Sequence, residues 1–235
     1  MSALIHFHHA SSPSLLAADL ARFVADRLRA ALAQRGHALL VVSGGSTPVP
    51  FFEALSSEEL DWPDVAVTLA DERWLPADHA DSNERLVRQH LLRERATAAS
   101  FVPLYNGALT PASGLADLQA SLAALPWPAD VVVLGMGGDG HTASLFPHMP
   151  QWAALPGDGV RCMAVASPAA PNVPVPRLTL TPHALLDAKT LIIHITGAAK
   201  RALLQQAQQA GPVADLPIRL ALHQLDVPCT VFHSP

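Results

Sequence analysis

The order of elements along these 235 residues predicts an α/β fold, a Rossmann-like and mainly parallel sheet flanked by helices. Two observations carry that prediction. Continuous apolar runs at 38–42 (ALLVV) and 131–134 (VVVL) read as strands buried on both faces, the form strands take in parallel sheets. Each run then opens into a glycine-rich turn, which is how such sheets present polar groups at the carboxyl ends of their strands.

The remaining elements follow in order. Ser12 is a good N-cap before Pro13 at the first helical position. Leu16, Leu20, Phe23, Val24, Leu28, Ala31 and Leu32 then recur at helical spacing, and Gly36 supplies the stop. After the strand at 38–42, Thr47 and Pro48 restart a helix whose buried face is Phe51, Phe52 and Leu55. A strand at 65–69 ends in the charged cluster Asp71-Glu72-Arg73-Trp74. Asp81-Ser82-Asn83-Glu84 resembles a capping box for a helix running to Arg95. A short strand at 101–104 and a helix at 112–125 precede the central strand and its turn, after which a short helical segment is expected to stop at Pro147. Strands are expected at 161–166, 178–180, 191–195 and 230–232, with helices from Pro182, over 198–210 and over 218–223. The proline-rich segment 167–177 can join neither a helix nor a central strand and reads as a loop. Too little chain follows it for a second core, so one domain over 1–235 is expected.

Composition excludes several classes. Half of the residues are hydrophobic and 15% are charged, which is not the balance of a disordered chain. No apolar run approaches the roughly 18 residues of a membrane span, and the N-terminus lacks the pattern of a secretory signal. Cys162 and Cys229 stand apart in strand-like runs and read as buried free thiols of a reducing, cytoplasmic compartment. A net charge of -5 argues against non-specific nucleic-acid binding and leaves room for local basic pockets. The expected partner is a small molecule, and the expected state a monomer.

Two turns carry the chemistry. In SGGSTP (43–48), the glycines let the backbone approach a ligand, the hydroxyls add donors, and the following helix start favours an anion. In GMGGDGHTASLFP (135–147), His141 lies two residues from Asp139. An imidazole is a suitable general base, and the neighbouring carboxylate can orient it. The amides of the surrounding glycines are candidate oxyanion donors. Gly135, Gly137 and Gly140 also satisfy G-x-G-x-x-G, but the context for a dinucleotide fails. The segment before Pro147 is too short for a crossover helix, and Asp158 precedes a strand instead of ending one. Asp139 and His141 as metal ligands lack a third partner, and there is no G-x-S-x-G elbow for a serine hydrolase. Asp71, Arg73, Arg177 and Lys200 are further polar candidates. Lys200, at a helix start, opposes the helix dipole unless an anion lies between them.

Taken together, SGGSTP, the DERW cluster followed by DSN, and LGMGGDGHTASLFP resemble the 6-phosphogluconolactonases, in that family's order and over nearly the whole chain. The related glucosamine-6-phosphate deaminases share the first motif and a GxDGH turn, but theirs continues toward a catalytic glutamate. Here the turn continues Thr142-Ala143-Ser144-Leu145-Phe146-Pro147, without an acid. The resemblance implies hydrolysis of 6-phosphoglucono-1,5-lactone in the oxidative pentose phosphate pathway, with no cofactor. It implies that His141 activates water with Asp139 positioning it, and that Gly44, Gly45, Ser46 and Thr47 line the sugar-phosphate site. Arg73, Arg177 and Lys200 would supply cationic contacts to the phosphate, with Asp71, Asn83 and Gly137 also at the substrate. A deaminase/isomerase and a non-catalytic sugar-phosphate sensor are the alternatives.

Overall fold

The computed structural model describes residues 5–169 and 172–235, so positions 170 and 171 of the proline-rich segment lie outside it. The elements in chain order are β1 (Ile5–His9), α1 (Pro13–Arg35), β2 (Ala38–Val42), α2 (Val49–Ser56), β3 (Val65–Leu69), β4 (Asp71–Arg73), α3 (Asn83–His90), β5 (Ser100–Val102), α4 (Pro111–Ala123), β6 (Val131–Leu134), β7 (Cys162–Val165), β8 (Arg177–Leu180), α5 (Pro182–Leu186), β9 (Leu191–Thr196), α6 (Ala198–Gln208), α7 (Arg219–His223) and β10 (Cys229–Ser234).

Seven strands form a parallel sheet in the order β1-β10-β9-β6-β2-β3-β5. From β2 the chain runs outward through β3 to β5, and from β6 it runs the other way through β9 to β10. The order therefore reverses between β2 and β6, and the loops leaving these two strands diverge around a crevice. Those loops are the two glycine-rich turns. The central strands are apolar on both faces because helices cover both; every residue of β2 and β6 is buried.

Local signals explain the helix ends. Ser12 caps α1 by accepting from the Leu15 amide at 3.3 Å, and Gly36 at φ 72° ends it with its own amide on the Leu32 carbonyl. Phe51, Phe52 and Leu55 of α2 are fully buried, as their spacing requires. Both cysteines are free and buried, and burial pushes their thiols up to about 12. Among the described residues no helix is long and apolar enough to cross a membrane.

Several elements differ from the sequence reading. β4, β8 and β7 form a separate antiparallel sheet, β4-β8-β7. β1, a short and partly exposed edge strand, has too little apolar alternation to announce itself. The helix from Asn83 ends at His90, and Glu94–Ala98 is a separate 3-10 turn beginning at positive φ. No helix follows the glycine turn: Thr142 and Leu145 form a tight bridge around Ala143 at φ 48°. The Thr142 hydroxyl donates back to the Gly135 carbonyl at 2.9 Å, so that segment is closed by its own side chain.

Asp130, just before β6, ties three elements together. Its carboxylate is 3% exposed and accepts from the Leu39 amide at 2.9 Å and from Arg35, with Lys189 Nζ 3.3 Å away. Asp130→Ala is expected to lower stability by about 2–4 kcal/mol, because a buried amide and two cations lose their acceptor. A shift in the denaturant midpoint with unchanged slope checks it.

His194 interrupts the aliphatic run of β9 and is 4% exposed; burial pushes its imidazole down from 6.5 to about 4. Between those values the unfolded chain binds a proton that the folded one does not. Stability from this group is thus complete above about pH 6.5 and lost as pH falls toward 4, on the order of 3 kcal/mol in all. The thermal midpoint of His194→Leu should accordingly fall less than the wild type's between pH 7 and pH 4.5.

Candidate active site

The crevice between the β2 and β6 loops opens into a cleft of about 440 Å³. Gly44, Gly45, Ser46, Thr47, Asp71, Arg73, Asn83, Gly137, His141, Arg177 and Lys200 all line it. Asp139 stands behind His141, outside the lining.

The β6 turn holds the Asp139–His141 pair. Asp139 Oδ1 lies 2.5 Å from His141 Nδ1 and also accepts from the His141 amide at 3.1 Å. Partial burial would raise the Asp139 pKa, but the bonds and charge of His141 outweigh it and hold the carboxyl at about 2. His141 Nε2 has no partner among the described residues. Gly137 is required beneath the pair, since a Cβ there would fall 2.0 Å from His141 Nδ1. The turn is closed by its own backbone: the Gly137 amide donates to the His141 carbonyl at 2.8 Å and the Gly140 amide to the Gly137 carbonyl at 3.2 Å. These two glycine amides are therefore spent and are not oxyanion donors, while the Gly138 amide makes no hydrogen bond among the described residues.

The β2 loop is the opposite case. The amides of Gly44, Gly45, Ser46 and Thr47 make no backbone hydrogen bond among the described residues, and Gly45 takes φ 101°. Pro48 precedes α2 without any side-chain cap, so the hydroxyls of Ser46 and Thr47 are not consumed by the helix. Four consecutive amides and two hydroxyls facing a cleft are suited to an anion.

Three cations border the same space. Arg73 and Arg177 are directly opposite each other in the β4–β8 register. Arg73 Nη1 donates to the Asp81 carbonyl at 2.6 Å and Arg177 Nη2 to the Val173 carbonyl at 2.8 Å. The Nε of each is buried without a partner. Burial lowers the Arg177 pKa and Arg73 adds to this, while Asp71, Glu72 and Asp81 oppose it. Lys200, in the first turn of α6, donates to the Met136 carbonyl; burial lowers its pKa and Asp139 opposes this. Among the described residues none of the three has a carboxylate within 4.0 Å, whereas Arg35, Arg161 and Lys189 each do.

Beneath the cations lies Glu72, fully buried and missed by the sequence reading as a positioning group. Its carboxylate accepts from the amides of Arg73, Asn83 and Glu84 at 2.7–2.8 Å and from the Ser82 hydroxyl at 3.1 Å. Burial raises its pKa to about 7 against the pull of those three amides, and Asp71 next door adds to the rise. The expected capping box is thus corrected. Ser82 caps α3 through the Arg85 amide, its own amide donates to the His79 carbonyl at 3.0 Å, and the next two amides go to Glu72 of β4, while Glu84 turns to Arg88. Asn83 is fixed as a result, donating to the Asp71 carbonyl at 2.9 Å and packing so closely on Gly44 that a Cβ there would meet it at 1.9 Å.

Ser144 and His194 also line the cleft and were not singled out from sequence. The Ser144 hydroxyl donates to Asp71 Oδ2 at 2.5 Å. The available signal for His194 was a lone imidazole in an aliphatic strand. Among the described residues no group of three His, Cys, Asp or Glu side chains is arranged to hold a metal ion.

Comparison with known proteins agrees with this geometry. A family model described as glucosamine-6-phosphate isomerases/6-phosphogluconolactonase matches residues 11–228. The chain is 49% identical to a 6-phosphogluconolactonase of Pseudomonas aeruginosa, over 93% of this chain and 90% of that one. It is 44% identical to one from Rhizobium meliloti over the full length of both. A crystal structure of a 6-phosphogluconolactonase from Shewanella baltica superposes with a TM-score of 0.93 at 43% identity, covering 98% of each chain. The chain belongs to the glucosamine-6-phosphate isomerase/6-phosphogluconolactonase family.

Proposed function

We propose that this protein is a 6-phosphogluconolactonase, hydrolysing 6-phospho-D-glucono-1,5-lactone to 6-phospho-D-gluconate in the oxidative pentose phosphate pathway. The observation that carries the reading is one cleft holding an oriented imidazole together with three cations that lack carboxylate partners. Neither half would suffice: the imidazole alone has no substrate, and the cations alone have no chemistry.

In the proposed reaction, His141 Nε2 takes a proton from water as the water oxygen bonds to the lactone carbonyl carbon. Asp139 holds the proton on Nδ1, fixing the tautomer, and stabilises the imidazolium that forms. The tetrahedral intermediate collapses with cleavage of the bond to the ring oxygen, which receives the proton back from His141. The products are a hydroxyl and a carboxylic acid, which loses its proton to solvent to become the carboxylate, and water is the only nucleophile consumed. Arg73, Arg177, Lys200 and the amides of Gly44 to Thr47 take the phosphate. Binding that remote group holds the carbonyl near the imidazole and contributes to the rate through orientation. Asp71 and Asn83 complete the wall on the β4 side. One domain spanning 1–235 serves the reaction.

The direct test is hydrolysis of freshly generated lactone, corrected for its spontaneous opening; absence of enhancement over the blank would refute the assignment. His141→Asn should lower kcat by at least about 10²-fold while leaving affinity for 6-phosphogluconate largely intact. Turnover near the wild-type value would remove His141 as the base. Arg73→Ala and Lys200→Ala should instead raise KM by about tenfold or more, with smaller changes in kcat, since each deletes a charge-assisted contact to a bound anion. An unchanged KM in both would dismiss the cationic phosphate site.

A further inference from the structure

His194 is a titratable side chain of the cleft that the proposed reaction leaves unused. It lies on β9 between Ile193 and Ile195, 4% exposed, with its ring edge-on to Phe51 of α2 at 6.2 Å. Its Nδ1 is buried without a partner, and Nε2 makes no hydrogen bond among the described residues. Burying an imidazole in an aliphatic strand with neither nitrogen bonded is unfavourable, and leucine or phenylalanine there would cost nothing of the kind. The residue nevertheless lines the cleft.

We infer that His194 is a specificity-determining residue that hydrogen-bonds a hydroxyl of the sugar ring. Three features select a hydroxyl over the phosphate or the reacting carbonyl. Its ring makes no hydrogen bond or ion pair with Arg73, Arg177, Lys200 or Asp139, and burial pushes its pKa down to about 4. The ring is therefore neutral at working pH, and it packs edge-on against the apolar ring of Phe51. A neutral imidazole offers one donor and one acceptor, and a hydroxyl can complement either. It has no carboxylate to support an imidazolium, which distinguishes it from His141 and argues against a second base. A site built to bond a hydroxyl rejects the analogue lacking it, because its own polar atom is left buried and unpaired. This inference rests on the lactonase reading and adds a selecting contact to it.

The test uses the full-length protein, its His194→Leu and His194→Phe variants, and His194→Gln, which keeps a donor and an acceptor. Each is assayed on 6-phosphogluconolactone and on its 2-deoxy, 3-deoxy and 4-deoxy counterparts, with thermal midpoints recorded alongside. The wild type should prefer the parent lactone over one of the deoxy lactones by about tenfold or more in kcat/KM. In His194→Leu and His194→Phe that single preference should collapse to near unity, by loss of activity on the parent, while the other two ratios persist. His194→Gln should recover part of the preference. Unchanged ratios in the variants, or an equal fall on all four lactones, would overturn the inference; the second result is what mere structural support would give. If the wild type fails on the parent lactone, the assigned reaction falls and this contact with it. Turnover with unaltered ratios removes His194 alone.

Discussion

Two guanidinium groups face each other across an antiparallel strand pair, Arg73 on β4 and Arg177 on β8, and the rest of the site is arranged to keep them there. Like charges directly opposite in a sheet repel, and here Arg177 is buried and Arg73 half-buried, neither with a carboxylate within 4.0 Å among the described residues. The fold compensates at one remove. Asp71 and Glu72 act on Arg177 from the same short strand, and carbonyls of Asp81 and Val173 accept one donor from each guanidinium. What stays uncompensated is an excess of donors and positive charge turned toward a cleft. An anion entering there, as proposed, would relieve the repulsion that the folded chain carries.

The antiparallel β4-β8-β7 sheet exists to present that pair, and Glu72 secures it. A single buried carboxylate engages three amides and a hydroxyl, joining β4 to the start of α3. Asn83 is thereby pressed against Gly44, so the cationic wall and the β2 loop are registered to each other across the cleft. The parallel sheet supplies the other registration. Because its strand order reverses between β2 and β6, the loop with unpaired amides and the turn with Asp139 and His141 are forced to neighbouring positions.

The alternation of apolar runs with helical patterns was enough to read the parallel sheet, and the caps at Ser12 and Gly36 were legible residue by residue. The members of the cleft were legible because glycine turns, a histidine near a carboxylate and scarce cations are compositional signals. What was illegible depended on contacts distant in sequence. Glu72 was one member of the charged cluster that ends the strand at 65–69, without a role of its own, until the fold brought the α3 amides onto it. The glycines of the β6 turn looked like free donors, but the amides of Gly137 and Gly140 close the turn on itself. The helix expected after His141 failed because Thr142 and Ala143 commit the backbone to a tight bridge, a choice that apolar spacing does not register.

The segment after His141 also bears on which chemistry the cleft favours. Ser144, arriving from that bridge, donates to Asp71 at 2.5 Å, and Asn83 approaches the other oxygen of the same carboxyl at 3.4 Å. An acid clamped from both sides is poorly suited to carry protons between substrate atoms, since each transfer would break a short buried hydrogen bond. His141 differs in having one nitrogen held and the other unpartnered, which is what a group needs to accept a proton and return it. A reaction that moves several protons between carbon, oxygen and nitrogen calls for more than one such group. Addition of water to a lactone, followed by ring opening, calls for one.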